Sequence, residues 1–141
     1  MKINHKFAAI FITILLGSTT LSTAQTQEAE QQVQPQAEMV SGGIGDTGMD
    51  TIATTQKNYN LKLIFAEPNG EYLADISAVM HDKKGNTVLD ANSVGPIVLV
   101  KLKPGTYTLS STAGKETKTS KVIVHNTGLS TYYIHLNDSE S

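Results

Sequence analysis

The stretch Gly95–Tyr107, G-P-I-V-L-V-K-L-K-P-G-T-Y, constrains the fold of this chain more than any other. From Pro96 to Leu102 the apolar run is broken only by Lys101. Pro104-Gly105 then forces a turn, because proline fixes φ and glycine admits positive values. The chain leaves on Thr106-Tyr107-Thr108-Leu109 with alternating character, so the stretch reads as strand, tight turn, strand. Val98, Val100 and Leu102 are expected to face inward, which turns Ile97 and Leu99 outward.

Short strands with the same grammar surround it. In Asn60–Ala66, Leu61, Leu63 and Phe65 share one face, with Lys62 and Ile64 on the other, and Pro68-Asn69-Gly70 marks a turn. Asp75–His81 alternates with Ile76, Ala78 and Met80 inward. Asp82–Asn86 is a polar turn with Gly85 placed for a hairpin, and Thr87–Ala91 is a short strand with Val88 inward. Beyond Leu109, Ala113-Gly114 turns the chain into Lys115–His125, which becomes apolar at Val122 and Val124. A three-residue loop, Thr127–Leu129, then predicts a hairpin with Ser130–Leu136, in which Val124 pairs with Tyr132. Seven strands at regular spacing predict an all-β fold, a seven-stranded antiparallel Greek-key β-sandwich over residues 58–137, with a polar tail at 138–141.

The first part of the chain reads differently. Lys2 and Lys6 precede the apolar run Phe7–Leu16, and Ser22-Thr23-Ala24 offers small residues to a signal peptidase. Residues 1–24 are therefore expected to be a cleaved signal peptide, giving a periplasmic or secreted protein. Residues 25–45, Gln/Glu-rich and then Gly-rich, are expected to be a disordered linker. Asp46 or Thr47 is placed to cap a short helix over 46–57, with Met49, Ile52 and Ala53 as its apolar face.

Composition narrows the partners. The chain has no cysteine, so neither a disulfide nor a lipidated Cys holds it, and its core alone must supply stability. All 11 basic residues are lysines, and the formal charge of −2 becomes −4 without Lys2 and Lys6. A mildly acidic, arginine-free chain argues against nucleic acid or an anionic membrane surface as partner.

Three pieces together resemble one family. They are Leu73-Ala74-Asp75-Ile76 at a strand start, Asp82-x-x-Gly85-Asn86-Thr87-Val88 across a hairpin, and Leu102-x-Pro104-Gly105-x-Tyr107-Thr108-Leu109. The set is similar to the carboxypeptidase regulatory-like domains, most closely the small exported proteobacterial type, from about Tyr59 to Leu136. The resemblance implies a transthyretin-like (prealbumin-like) sandwich that accompanies enzymes or receptors without catalysing anything itself. Pro104, Gly105 and Tyr107 take a structural role in it, with Tyr107 resembling a tyrosine corner, its hydroxyl bonded back to nearby backbone.

No catalytic set, cofactor or metal site is expected. A hydroxyisourate-type hydrolase needs arginine, which is absent. An intradiol dioxygenase needs two Tyr and two His at iron. Tyr132, Tyr133, His125 and His135 supply the types, but the expected hairpin separates the two histidines by about four residues, ~13 Å. The Gly-rich Ser41–Gly45 follows no strand and lacks the closing Lys-Ser/Thr of a phosphate loop. Met39, Met49, Met80 and His81 form no copper-binding cluster, and Asp75, Asp82 and Asp90 lack calcium-loop spacing. The preferred expectation is a non-catalytic module binding a protein or a cell-envelope component such as a glycan. The alternative is a small-molecule or copper-type metal carrier, or a weak hydrolase, using His81, His125 and His135. Ile64, Ile97 and Leu99 form a candidate partner surface if they are exposed. The competing and preferred arrangement has the Met49–Ile52 segment covering them.

Overall fold

The computed structural model describes residues 36–138. The expected signal peptide, most of the expected linker and the end of the tail lie outside the described residues. Among the described residues there are eight strands: β1 (Glu38–Gly42), β2 (Leu61–Ala66), β3 (Ile76–His81), β4 (Thr87–Val94), β5 (Ile97–Lys101), β6 (Gly105–Ala113), β7 (Glu116–Val124) and β8 (Ser130–His135). One helix, α1 (Gly45–Thr55), and a 3-10 turn, Gln56–Asn58, join β1 to β2. The strands form two four-stranded sheets, ordered β1-β5-β2-β8 and β4-β3-β6-β7. This is an all-β, two-sheet architecture of the sandwich type.

The main core lies between the sheets. It takes Leu61, Leu63 and Phe65 from β2, Val98 and Val100 from β5, Ile76, Ala78 and Met80 from β3, and Tyr107 and Leu109 from β6. Val122, Val124, Ile134 and Leu136 complete it. The alternation in each strand puts these residues on one face, and burying each large side chain contributes about 1.5–3 kcal/mol against conformational entropy. Ser111 is the exception, fully buried on β6 with its hydroxyl unpartnered.

Several expectations need correction. The described residues hold eight strands and not seven, because Glu38–Gly42, inside the expected linker, pairs antiparallel with β5. Met39 and Val40 explain why: opposite Val100 and Leu99, one packs on the main core and the other on a second cluster. The expected β7–β8 hairpin does not form. β8 runs parallel to β2, with Leu63 opposite Tyr132, while β7 pairs with β6 in the other sheet. The connectivity is thus not the wholly antiparallel seven-strand Greek key expected. Likewise β5 and β6, the strand–turn–strand of the organising stretch, belong to different sheets, and Leu102–Pro104 crosses between them.

On β4 the register with β3 slips between Met80 and His81, so Leu89 opposes Met80 in the core and Val88 is only half-buried. An extra residue on one strand swings its neighbour aside, which is why Leu89 replaces Val88 as the core residue.

Ile64, Ile97 and Leu99 are not an exposed partner surface. All three are buried with Ile52 in the second cluster, flanked by Val40 and Tyr59. β5 is therefore covered on both faces, which is what a continuous apolar run satisfies. The cover is slender. Ile52 is the only buried side chain of α1; Met49 and Ala53 are exposed, and neither Asp46 nor Thr47 caps the helix, which begins after Ile44 without a side-chain cap. The chain packs closely where α1 leaves the sheet: a Cβ on Gly95 would meet the Gly42 carbonyl oxygen at 2.8 Å. Among the described residues no helix is long and apolar enough to cross a membrane.

Candidate binding site at the lysine-bearing end

Because β3, β5 and β7 finish where β2, β4, β6 and β8 begin, the connections sort into two ends of the sandwich. One end carries the Asp82–Asn86 turn, the β5–β6 connection, the 3-10 turn before β2 and the β7–β8 loop.

The Asp82–Asn86 turn is built by Asp82. Its Oδ1 accepts the backbone N–H of Lys84 and of Asn86, each at 2.9 Å, and its Oδ2 accepts Asn86 Nδ2 at 3.2 Å. Gly85 takes a φ of +86°, which glycine adopts without steric penalty. The Asn86 N–H, first among these donors, holds the Asp82 carboxyl below its ordinary pKa, with Lys84 assisting. The result is a rigid turn that presents Lys83 and Lys84 outward.

The β5–β6 connection is tied down twice. The Asn60 side chain donates to the Leu102 carbonyl and accepts the Leu102 N–H at 2.9 Å, an amide standing in for a strand partner. Tyr107, only 7% exposed, donates its hydroxyl to the Lys103 carbonyl at 2.6 Å. Burial, then the charge of Asp82, pushes its phenol pKa upward. Pro104 is exposed beside it, and Gly105 opens β6 opposite Val124. Lys101 and Lys103 thus project from a backbone fixed on both sides.

Two hollows of about 320 and 310 Å³ lie here and share Asp82, Lys103 and Tyr107. Lys83, Lys84 and Asn86 line the first; Lys101, Val88 and Ala37 line the second. A third, about 450 Å³, lies at the same end between Lys57, Tyr59 and Asn60 on one side and Asn126, Gly128 and Leu129 on the other. Tyr59 donates to Glu38 Oε1 at 3.4 Å; burial and then the Glu38 carboxylate raise its pKa.

Charge is divided between the ends. This end holds Lys57, Lys83, Lys84, Lys101 and Lys103, and Lys62 and Lys121 near it, against Glu38 and Asp82. The opposite end holds Asp46, Glu67, Glu71, Asp75, Glu116 and Asp138 against Lys115 and Lys118. Neither cluster is visible in the net charge of −2.

The histidines do not converge with one another. His81 ends β3 opposite Thr108 of β6, whose other partner is Lys121; His125 lies four residues beyond Lys121. His135 is on β8, in the other sheet. The separation inferred from a β7–β8 hairpin therefore has no basis, since that hairpin is absent. Tyr132 instead bonds across the sheet boundary, its hydroxyl accepting the Ile123 N–H at 2.9 Å. Among the described residues no three of His, Cys, Asp and Glu come together as a metal-holding group. The lysine convergence was missed in the sequence. Its only trace is the pair Lys83-Lys84 and the Lys101-x-Lys103 repeat, at sites the fold must bring together.

No protein-family model matches the chain, and no curated protein matches it.

Proposed function

We propose that this chain is a non-catalytic, exported binding module whose contact surface is its lysine-bearing end. The observation that carries the reading is the division of charge, with the three hollows described above at the positive end. The strands from Leu61 to His135 form the module that resembles the carboxypeptidase regulatory-like, transthyretin-like domains, and β1 with α1 is an addition to it. The partner belongs to the cell envelope, as a protein or glycan component.

The test uses immobilised, untagged full-length protein and envelope extract. Wild type is compared with the Lys83→Gln/Lys84→Gln/Lys101→Gln/Lys103→Gln variant, after both show the same circular dichroism. One component retained by wild type and lost by the variant supports the reading. Retention that ignores the four substitutions, or stoichiometric metal in the purified protein, overturns it.

A further inference from the structure

The lysine-bearing end has features that select among anionic ligands. Lys57, Lys83, Lys84, Lys101 and Lys103 line the hollows, and none of their ammonium groups has a hydrogen-bond or ion-pair partner among the described residues. Asp82, the one carboxylate lining the hollows, is already engaged by the three N–H donors of its own turn. The exposed large apolar residues, Ile44, Met49, Tyr72, Ile123 and Tyr133, line none of the three hollows. The apolar side chains that do line them, Ala37, Tyr59, Val88, Leu102, Tyr107 and Leu129, are buried or half-buried, with only Pro104 exposed, so they offer limited surface to a protein's aromatic or aliphatic anchor or to a membrane.

Nucleic acid is disfavoured by different features. Of the two tyrosines that line the hollows, Tyr107 is buried and Tyr59 is half-buried with its hydroxyl on Glu38, so neither offers a base a fully open ring to stack on. Every cation in the chain is a lysine, a point charge without the planar fork that grips phosphate in two places. Isolated ammonium groups spread over a shallow surface suit single carboxylates spaced along an extended chain. Three open hollows around one end likewise suit an extended ligand better than a small one, which is held in a single enclosed pocket.

We infer that the lysine-bearing end binds an acidic polysaccharide, a glycan chain carrying carboxylates at intervals. The inference rests on the binding-module reading and names its ligand class. The acidic far end contributes orientation, since a polyanion is drawn to one end and repelled by the other.

The probe is polygalacturonate, titrated into the full-length protein by calorimetry, with neutral dextran as control. Binding is expected to polygalacturonate only, weakening steeply as salt shortens the screening length. The four-lysine variant is expected to bind at least about tenfold more weakly. A second variant, Asp46→Asn/Glu67→Gln/Glu71→Gln/Asp138→Asn, is expected to bind no more weakly than wild type. Combining both sets restores the wild-type net charge, and the combined variant is expected to stay weak. Wild-type affinity in the combined variant would show that net charge alone governs binding and would overturn the site. Tighter binding to polyglutamate, oligothymidine or phosphatidylglycerol vesicles than to polygalacturonate would assign the end to a protein, a nucleic acid or a membrane and overturn the glycan. Failure to bind polygalacturonate, with envelope capture still dependent on the four lysines, would sink this inference and leave the binding module standing.

Discussion

Tyr107→Phe isolates one hydrogen bond at the crossing between the sheets. The hydroxyl donates to the Lys103 carbonyl at 2.6 Å, and Phe keeps the ring, which is buried against the core, while deleting the donor. Leaving a buried acceptor unpaired costs about 1–3 kcal/mol. Lys103 is exposed, so water can replace part of the bond, and the lower half, about 1–2 kcal/mol, is expected. In a domain of this size that is roughly 4–8 °C in melting temperature per kcal/mol. The measurement is urea unfolding followed by far-UV circular dichroism, with the slope compared to confirm an unchanged transition. A pH arm separates the hydroxyl from packing. Folding raises the Tyr107 pKa, so the neutral phenol's contribution is complete below the free value of 10.0 and is lost as pH rises through the folded value. Wild type should therefore lose its advantage over Phe above pH 10. Tyr59, also raised, is present in both proteins and cancels. An unchanged unfolding midpoint at neutral pH would refute the corner.

Three further outcomes follow from the packing. Ile52→Ala removes the sole buried side chain of α1, worth about 2–5 kcal/mol at a fully packed site. The helix should open before the main core, so hydrogen exchange at residues 45–58 is expected to rise more than the global midpoint falls. Ser111→Ala deletes a buried hydroxyl with no partner and is expected to raise stability by up to about 1 kcal/mol in urea unfolding. The depressed Asp82 pKa makes its stabilisation present at neutral pH and lost as pH falls through the folded value, so Asp82→Asn should flatten the loss of stability below about pH 4.

What the sequence made legible was set by range. Alternation is local, so the inward faces of β2, β3 and β6 could be read directly, as could a turn at Pro104-Gly105. β1 could not: its Met39-Val40 pair sits in a Gln/Glu- and Gly-rich stretch and becomes a strand only because β5 offers an edge. The fate of Ile97 and Leu99 was ambiguous for the same reason. Their burial depends on Ile52, some 45 residues away, rather than on anything in the run itself. β8 was recognisable as a strand but not by its partner. A short loop allows either a hairpin or a step to the other sheet, and the choice was made by β2, where the Ser130 N–H bonds the Asn60 carbonyl at 2.9 Å. Asn60 carried no local sign that its side chain would hold Leu102.

The charge pattern failed to show for a deeper reason, and it changes what the composition excludes. From β2 onward successive strands reverse direction, so connections distant in sequence are collected alternately at the two ends. Lysines of the β3–β4 turn and the β5–β6 connection land together, while acids of the β2–β3 loop land opposite. β6 alone spans nine residues, about 30 Å at ~3.3 Å per residue. The screening length at physiological salt is about 8 Å, so the two ends act as nearly independent electrostatic surfaces. A ligand approaching the hollows meets five ammonium groups that have no hydrogen-bond or ion-pair partner among the described residues, and not a net charge of −2. Net acidity therefore gives no ground for excluding anionic partners. The choice among them falls to local features: lysine without arginine, hollows whose apolar side chains are mostly buried or half-buried, and two lining tyrosines of which one is buried and the other half-buried.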